Sequence, residues 1–231
     1  MSTIFIISAP SGSGKSTLVA SVRSAVSNLD FSISYTTRTP RGSERNGVEY
    51  YFVTRAEFER MIANGDFLEY ADVFGNYYGT ARRFVEDAQR AGHDLLLDID
   101  VQGAAQIKQK LPEAVSIFVL PPSRDELERR LRRRSESEGV QNQDVIRRRL
   151  LTATKEIENW EKYDYILVND RLEESIDKLK AVVLAERLRR SRQAPADEQL
   201  RMIEQAEACR RQSATARIQG TLDSFRQNAP A

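Results

Sequence analysis

Lys15 stands at a spacing that suits a lysine to phosphate chemistry. It lies in Ser8-Ala9-Pro10-Ser11-Gly12-Ser13-Gly14-Lys15-Ser16-Thr17, close to the pattern G-x-x-x-x-G-K-[ST]. In that pattern glycines let the backbone approach an anion, and successive N–H groups at a helix start point towards it. Lys15 would reach the β- and γ-phosphates of a nucleoside triphosphate, and the Ser16 hydroxyl would ligate Mg²⁺. Ser11, Gly12, Ser13, Gly14 and Thr17 would complete the cradle. The first position holds Ala9 instead of glycine, which is tolerable if that residue keeps a negative φ. A surface turn that merely contains a lysine is the alternative, and the flanks oppose it. Ile4–Ile7 has the composition of a buried strand, while Leu18, Val19, Val22 and Val26 recur at helical spacing.

Other residues with chemical potential follow along the chain. Arg38 and Arg41 flank Pro40 in FSISYTTRTPR, with hydroxyls at Thr36, Thr37 and Thr39. Guanidiniums held this way suit a phosphate, which takes forked hydrogen bonds; taken alone, the segment reads rather as a loop with two solvated arginines. Tyr50 and Tyr78 carry hydroxyls that need partners if buried. Glu69 sits within an otherwise apolar run, an expensive place for a carboxylate without a function. Asp98 and Asp100 close the run Leu95-Leu96-Leu97, where an acid beside bound phosphates can hold Mg²⁺ or its waters. Arg129, Arg130, Arg132, Arg133 and Arg134 precede the polar segment Ser135–Gln143, and Arg147, Arg148 and Arg149 follow it. Arginines on both arms of a polar hairpin read as a lid closing on phosphates. They could also form a nucleic-acid patch, against which the near-neutral total and the lack of interleaved aromatics weigh.

These residues need elements to position them. A first strand and helix surround the cradle, and Phe31–Arg41 reads as a strand running into a loop. Gly47–Val53 is strand-like, and Thr54-x-x-Glu57 opens a helix that Asn64-Gly65 closes. Asp66–Tyr70 reads as a strand and Phe74–Thr80 as a tight, tyrosine-rich turn. A helix over 81–91 stops at Gly92, leaving His93 in the turn. The strand before Asp98 leads to a helix over Gly103–Leu111, stopped by Pro112. Ser116–Leu120 is a buried strand; Ser123-x-x-Glu126 opens the first arginine-rich helix, and Val145–Trp160 is the second. Tyr165–Val168, ending at Asn169-Asp170, and a helix over Glu173–Ser191 complete an α/β alternation with a mostly parallel sheet. From Pro195 the composition shifts to Gln, Ala, Arg and Ser, an appended tail, helical or in part disordered, whose removal would leave the body folded and active.

Composition narrows the class. The chain has 231 residues, 35 basic against 34 acidic, and a formal charge of +1, so net charge implies no general polyanion binding. The lone Cys209 cannot close an internal disulfide, and the lone His93 cannot build a His/Cys metal site. With no signal peptide, transit peptide or long apolar span in view, a cytoplasmic setting is the default.

Taken together, these segments resemble guanylate kinases from the N-terminus to about residue 190. The resemblance rests on SAPSGSGKST, SYTTRTPRGSERNGVEYYF, FLEYADVFGNYYGT, LLLDIDVQGA, IFVLPPS, the RLRRRS…RRRL arms and ILVND, in that order. The second and third stretches, with D-I-D-x-Q-G, are far more specific than the cradle alone. The resemblance implies an α/β P-loop fold: a mostly parallel central sheet flanked by helices, an inserted mixed β/α monophosphate-binding region and a helical lid. It would span 1–193, with core 1–31, 82–124 and 160–193, insertion 32–81 and lid 125–159, followed by a tail at 194–231.

The resemblance also implies ATP-dependent, Mg²⁺-assisted phosphorylation of GMP, and of dGMP, to the diphosphate. Arg38, Arg41, Tyr50 and Tyr78 would hold the GMP phosphate, and Ser34, Glu69, Thr80 and Asp100 would contact guanine. Asp98 would lie near the metal, reaching it through water. Arg134 and Arg149 would act on the ATP phosphates, and Asn169 falls where adenine binds. Arg134-Ser135 departs from the usual Arg-Gly, and the neighbouring Arg132, Arg133 and Arg147 blur the register of the functional pair by about a residue. The expected partners are GMP or dGMP and ATP, with no nucleic acid and no membrane; a homo-oligomer stays open. A catalytically silent interaction module, or a sugar-phosphate kinase, would use the same framework. The intact Gly14-Lys15-Ser16 argues against the first, and Glu69 with Asp100 against the second.

Overall fold

The computed structural model describes residues 2–73, 75–137, 143–192 and 194–226. It divides into two compact units: Met1–Ile7 with Ser27–Val115, and Ser8–Val26 with Ser116–Ala231.

In the first unit, strands β1 (Ile4–Ser8), β2 (Leu29–Ser32) and β7 (Asp94–Asp98) lie side by side in parallel, with β7 in the middle. Phe5, Ile6, Leu95, Leu96 and Leu97 are at most 1% exposed, as continuous apolar runs in a parallel sheet should be. Ile7 pairs with Asp98, so β7 delivers its terminal carboxylate at the C-terminal end of the sheet, where α/β folds bind ligands. Helix α3 (Arg82–Ala91) packs on β7 and is closed by Gly92 at φ 70°.

The same unit holds a mixed sheet in the order β4 (Tyr51–Phe52), β3 (Tyr35–Thr36), β6 (Asn76–Ala81), β5 (Phe67–Val73). Here the structure departs from the sequence reading. Phe31–Arg41 gives two strands in two sheets, and within Gly47–Val53 the strand covers only Tyr51–Phe52. Most of Phe74–Thr80 is not a turn but the antiparallel partner of β5; Phe74 lies outside the described residues. The reversal is confined to the hairpin tip, where the Gly75 N–H donates to Asp72 and Gly75 takes φ 84°. Gly79 reads as a turn residue, yet it is a strand residue forced by packing. A Cβ there would lie 2.9 Å from Phe67 and 3.0 Å from Phe58. Helix α2 (Arg55–Ala63) starts as expected, with Thr54 accepting from the Glu57 N–H. Helix α4 (Val101–Lys110) starts two residues earlier than its pattern suggests, because Asp100 caps it.

In the second unit, α1 (Lys15–Ala25) packs on α7 (Leu172–Ser191), and β8 (Val115–Leu120) runs parallel to β9 (Tyr165–Val168). Helices α5 (Arg124–Ser137) and α6 (Gln143–Ile157) form the two arginine-bearing arms, the second followed by a 3-10 turn at Glu158–Lys162. The arms take in both ends of the segment expected to be a flexible hairpin, Ser135–Ser137 and Gln143; Ser135 is buried, and 138–142 lie outside the described residues. Beyond Pro195 the chain forms α8 (Asp197–Cys209) and α9 (Arg211–Arg226). These helices bury Ala206, Cys209, Ala214, Ile218, Leu222 and Phe225, against α7, β9 and α5.

Candidate active site

The loop expected to cradle phosphates belongs to the second unit, and two glycines shape it. Gly12 and Gly14 have φ of 91° and 86°, a region closed to most side chains; Ala9 is not among the positive-φ residues. Space is equally short. A Cβ on Gly12 would meet Leu127 at 3.0 Å, and one on Gly14 would meet the Asn169 amide nitrogen at 2.4 Å. Gly14 is the N-cap of α1 and offers no side-chain cap, so the first N–H groups of that helix stay directed at whatever occupies the loop. The Ser13 hydroxyl is buried and has no hydrogen-bond partner among the described residues. An orphaned donor inside a glycine-rich loop suits a phosphate oxygen.

Asn169 and Arg130 brace this loop. The Asn169 amide donates to the Ser13 carbonyl at 2.7 Å, and the Arg130 guanidinium donates to the same carbonyl at 3.4 Å and to the Asn169 carbonyl at 3.1 Å. Glu126 fixes Arg130 in turn, accepting from its Nε at 2.7 Å. The sequence marked Arg130 only as one of a run. Its phase could have singled it out, since Leu127 and Leu131 turn the same part of α5 towards Gly12. Arg149 donates from α6 to the Ser135 hydroxyl on α5 at 3.2 Å, so the Ser that replaces the usual Gly ties the two arms together. Arg134 is exposed on α5. Lys15, Ser16 and Thr17 open α1.

The residues expected to meet the acceptor belong to the first unit and form two groups. In one, Arg38 is 8% exposed and donates to both carboxylate oxygens of Glu44, at 2.9 and 3.0 Å. Its guanidinium lies 5.3 Å from the centre of the Tyr50 ring, and Tyr50 meets Tyr78 edge-on at 5.9 Å. Glu44 also accepts from the Arg41 N–H at 2.8 Å. Burial alone would raise the Glu44 carboxyl, but the hydrogen bonds from Arg38 and Arg41 hold it below its ordinary value. Three of the residues expected on a phosphate, Arg38, Tyr50 and Tyr78, thus converge. Glu44 is the partner that sequence reading missed, because nothing local distinguishes it from other loop acids.

In the other group, Glu69 is 5% exposed and accepts from the Thr80 hydroxyl at 2.6 Å. Burial pushes its carboxyl up to about 7; the Asp100 charge adds to the rise, while Thr80 and Lys110 oppose it. Asp100 accepts from the N–H groups of Gln102 and Gly103, at 2.9 and 2.8 Å, which aims one oxygen into α4. Ser34 lies between β2 and β3, half-buried, its carbonyl accepting from the Tyr51 N–H. Asp98 ends β7, half-buried. This group is a pair of carboxylates beside a hydroxyl, suited to reading a base edge that carries two adjacent donors.

Known proteins carry the same pattern. The family profile described as guanylate kinase matches residues 1–186. A guanylate kinase of Koribacter versatilis is 60% identical over 97% of this chain and 96% of its own. One from Escherichia coli is 48% identical over 83% of this chain and 91% of its own. The crystal structure of the guanylate kinase from Anaplasma phagocytophilum superposes with a TM-score of 0.67 at 36% identity, covering 89% of this chain and 94% of that one. The fold is therefore the P-loop α/β kinase fold anticipated above. With its cradle, its paired carboxylates and these matches, the chain belongs to the guanylate kinase family.

Proposed function

We propose that this chain carries out the ATP-dependent phosphorylation of GMP to GDP with the donor on the Ser11–Thr17 loop and the guanine on Glu69, Thr80, Asp100 and Ser34. The reaction is that of the family. The division of labour among the residues is our reading. Lys15 neutralises the β- and γ-phosphates, Arg134 and Arg149 add positive charge as the γ-phosphoryl moves, and Asn169 falls where the family binds adenine. Arg38, Arg41, Tyr50 and Tyr78 hold the acceptor phosphate. Both substrates are anions, so the cationic side chains chiefly offset repulsion and fix geometry, which is most of what phosphoryl transfer asks of a protein. The attacking oxygen belongs to a phosphate already largely ionised, so no strong general base is called for.

Among the described residues there is no cluster of three His, Cys, Asp or Glu side chains that could cage a metal ion. That fits Mg²⁺, which keeps most of its waters and takes ligands from the nucleotide; Ser16 would supply a hydroxyl and Asp98 would hold a coordinated water. Bound there, Mg²⁺ would offset the negative charge of the donor phosphates. A cytoplasmic setting and small-molecule partners complete the proposal; among the described residues no helix is long and apolar enough to cross a membrane.

The observation that carries the guanine assignment is the buried Glu69 beside Thr80 and Asp100. Guanine offers N1–H and an exocyclic amine on one edge, both donors, whereas adenine presents an unprotonated N1 and would leave a buried carboxylate unmatched. Such a mismatch separates ligands by ~10⁴-fold or more, against ~10²-fold from shape alone. Steady-state kinetics with GMP and AMP are expected to show that gap in kcat/KM, with dGMP accepted, and Glu69→Gln is expected to lose GMP chiefly through KM. Comparable kcat/KM for GMP and AMP in the wild type would overturn the assignment.

A further inference from the structure

The guanine-reading carboxylate is placed by a helix that does not itself carry it. Along β5 the pairing with β6 slips: Phe67 faces Ala81, but Glu69 faces Thr80. Leu68 is the extra residue of a β-bulge, which explains why Phe67, Leu68 and Glu69 are all buried in succession. A bulge re-aims the side chain that follows it and leaves one backbone group without a ladder partner. Here β5 is also an edge strand, so its outer carbonyls have no neighbouring strand. Helix α4 supplies the missing donors. Lys110 Nζ donates to the carbonyl of the bulged Leu68, and Gln106 Nε2 donates to the Tyr70 carbonyl at 2.9 Å. The two carbonyls flank Glu69.

The residue of α4 facing Glu69 itself is Gly103. It is buried in the first turn of the helix, where glycine is a poorer helix former than alanine. A Cβ at Gly103 would lie 2.7 Å from Glu69 Oε2, closer than real contacts allow, and 3.0 Å from its carboxyl carbon, so the carboxylate would have to shift. Gly103, Gln106 and Lys110 are spaced three and four apart, so they form one face of α4, and Asp100 caps the same helix. The helix therefore fixes both carboxylates by one rigid element, Asp100 through its cap and Glu69 through the face that follows.

We propose that α4 is the template that sets guanine specificity, with Gly103 and Lys110 as positioning residues. Gly103 makes room for the Glu69 carboxylate, and Lys110 pins the bulge that aims it. This rests on Glu69 being the guanine reader.

Gly103→Ala separates the proposal from a merely structural role. Alanine is the better helix former, so packing and propensity predict little change in kcat or in KM for ATP. The template predicts a rise in KM for GMP of about tenfold or more, with kcat within about twofold. The cycle is closed with Glu69→Ala and the double variant: if Gly103 acts through Glu69, Gly103→Ala adds no further loss once the carboxylate is gone. Lys110→Met, at an exposed position, is expected to raise KM for GMP about threefold in the wild type and not at all in Glu69→Ala. It carries the test if Gly103→Ala does not fold. Unchanged KM for GMP in the position-103 and position-110 variants overturns the template while leaving the Glu69 assignment standing. Equal losses with and without Glu69 also overturn it. An unchanged KM in Glu69→Ala itself would instead remove the reading on which the template rests.

Discussion

As the proposed guanine reader, Glu69 would trade stability for recognition. Its carboxyl titrates near 7, chiefly because it is buried and also because Asp100 is close. Between the ordinary glutamate value and about 7, the folded protein holds a proton that the unfolded chain has released. Stability therefore falls as pH rises through that window, by up to ~3 kcal/mol for such a shift. Guanine needs the opposite state, since only the ionised carboxylate accepts from both donors. The kcat/KM for GMP is expected to climb with pH up to about 7 and then level off. The acceptor phosphate titrates in the same region, so the Glu69→Gln profile is the control: it should keep the phosphate step and lose the carboxylate step. At pH 8 the same variant should melt above the wild type while using GMP less well. A variant whose profile overlays the wild type would show that Glu69 does not titrate in the binding range. That Glu69 stands apart was legible in the sequence, because a carboxylate inside an apolar strand demands a reason, and it is indeed buried against Thr80. Its neighbours Gly103 and Lys110 were not, because they meet it only through a bulge and a docking face that no local pattern encodes.

At the scale of elements, legibility followed the range of the interactions. Helices with their own caps, such as the one opened by Thr54 and the one closed by Gly92, could be placed from adjacent residues. Strand β6 could not, because its glycine and tyrosines mimic a turn until Phe58 and Phe67 are brought against Gly79. The arginine arms fall between these cases: the helices were evident, but not which arginines turn inward. Arg132 is held by Glu128 at 3.0 Å and by Gln143 at 2.8 Å, so its charge is largely answered within the arms. Arg149 bridges to Ser135 and Arg130 braces the cradle. Alanine at Arg134 or Arg149 is accordingly expected to lower kcat by ~10²-fold or more, as for other cations that meet developing phosphoryl charge. Arg132→Ala should cost less than about fivefold. Equal losses in turnover assays of all three variants would move the functional register by a residue.

At the scale of the molecule, the C-terminal helices decide what counts as the body of the enzyme. Composition after Pro195 reads as an appendage, because weak amphipathicity does not reveal what a helix will cover. Yet α8 and α9 are built into the unit that carries the glycine-rich loop. Arg210 donates to Glu186 at 2.9 Å and stacks at 4.6 Å over the Tyr165 ring, and Arg189 donates to the same carboxylate at 2.8 Å. Tyr165 also donates to Glu186; burial, with Glu186 beside it, pushes the phenol up and keeps its proton in place. Further along, Thr221 donates to the Pro122 carbonyl and Ser224 accepts from the Arg124 N–H, so α9 grips the root of arm α5. Truncation after Gln193 would uncover the apolar surface under Ile218, Leu222 and Phe225, each worth about 1.5–3 kcal/mol when buried. It would also leave the buried Glu186 short of one cation. The sum is comparable to the whole net stability of a domain. The truncated chain is therefore expected to melt well below the full-length protein, by roughly 10 °C or more. Where it stays folded, the loosened root of α5 should raise KM for ATP more than KM for GMP. Matching melting curves and unchanged KM for ATP would show that the two helices are an ornament on an independent kinase.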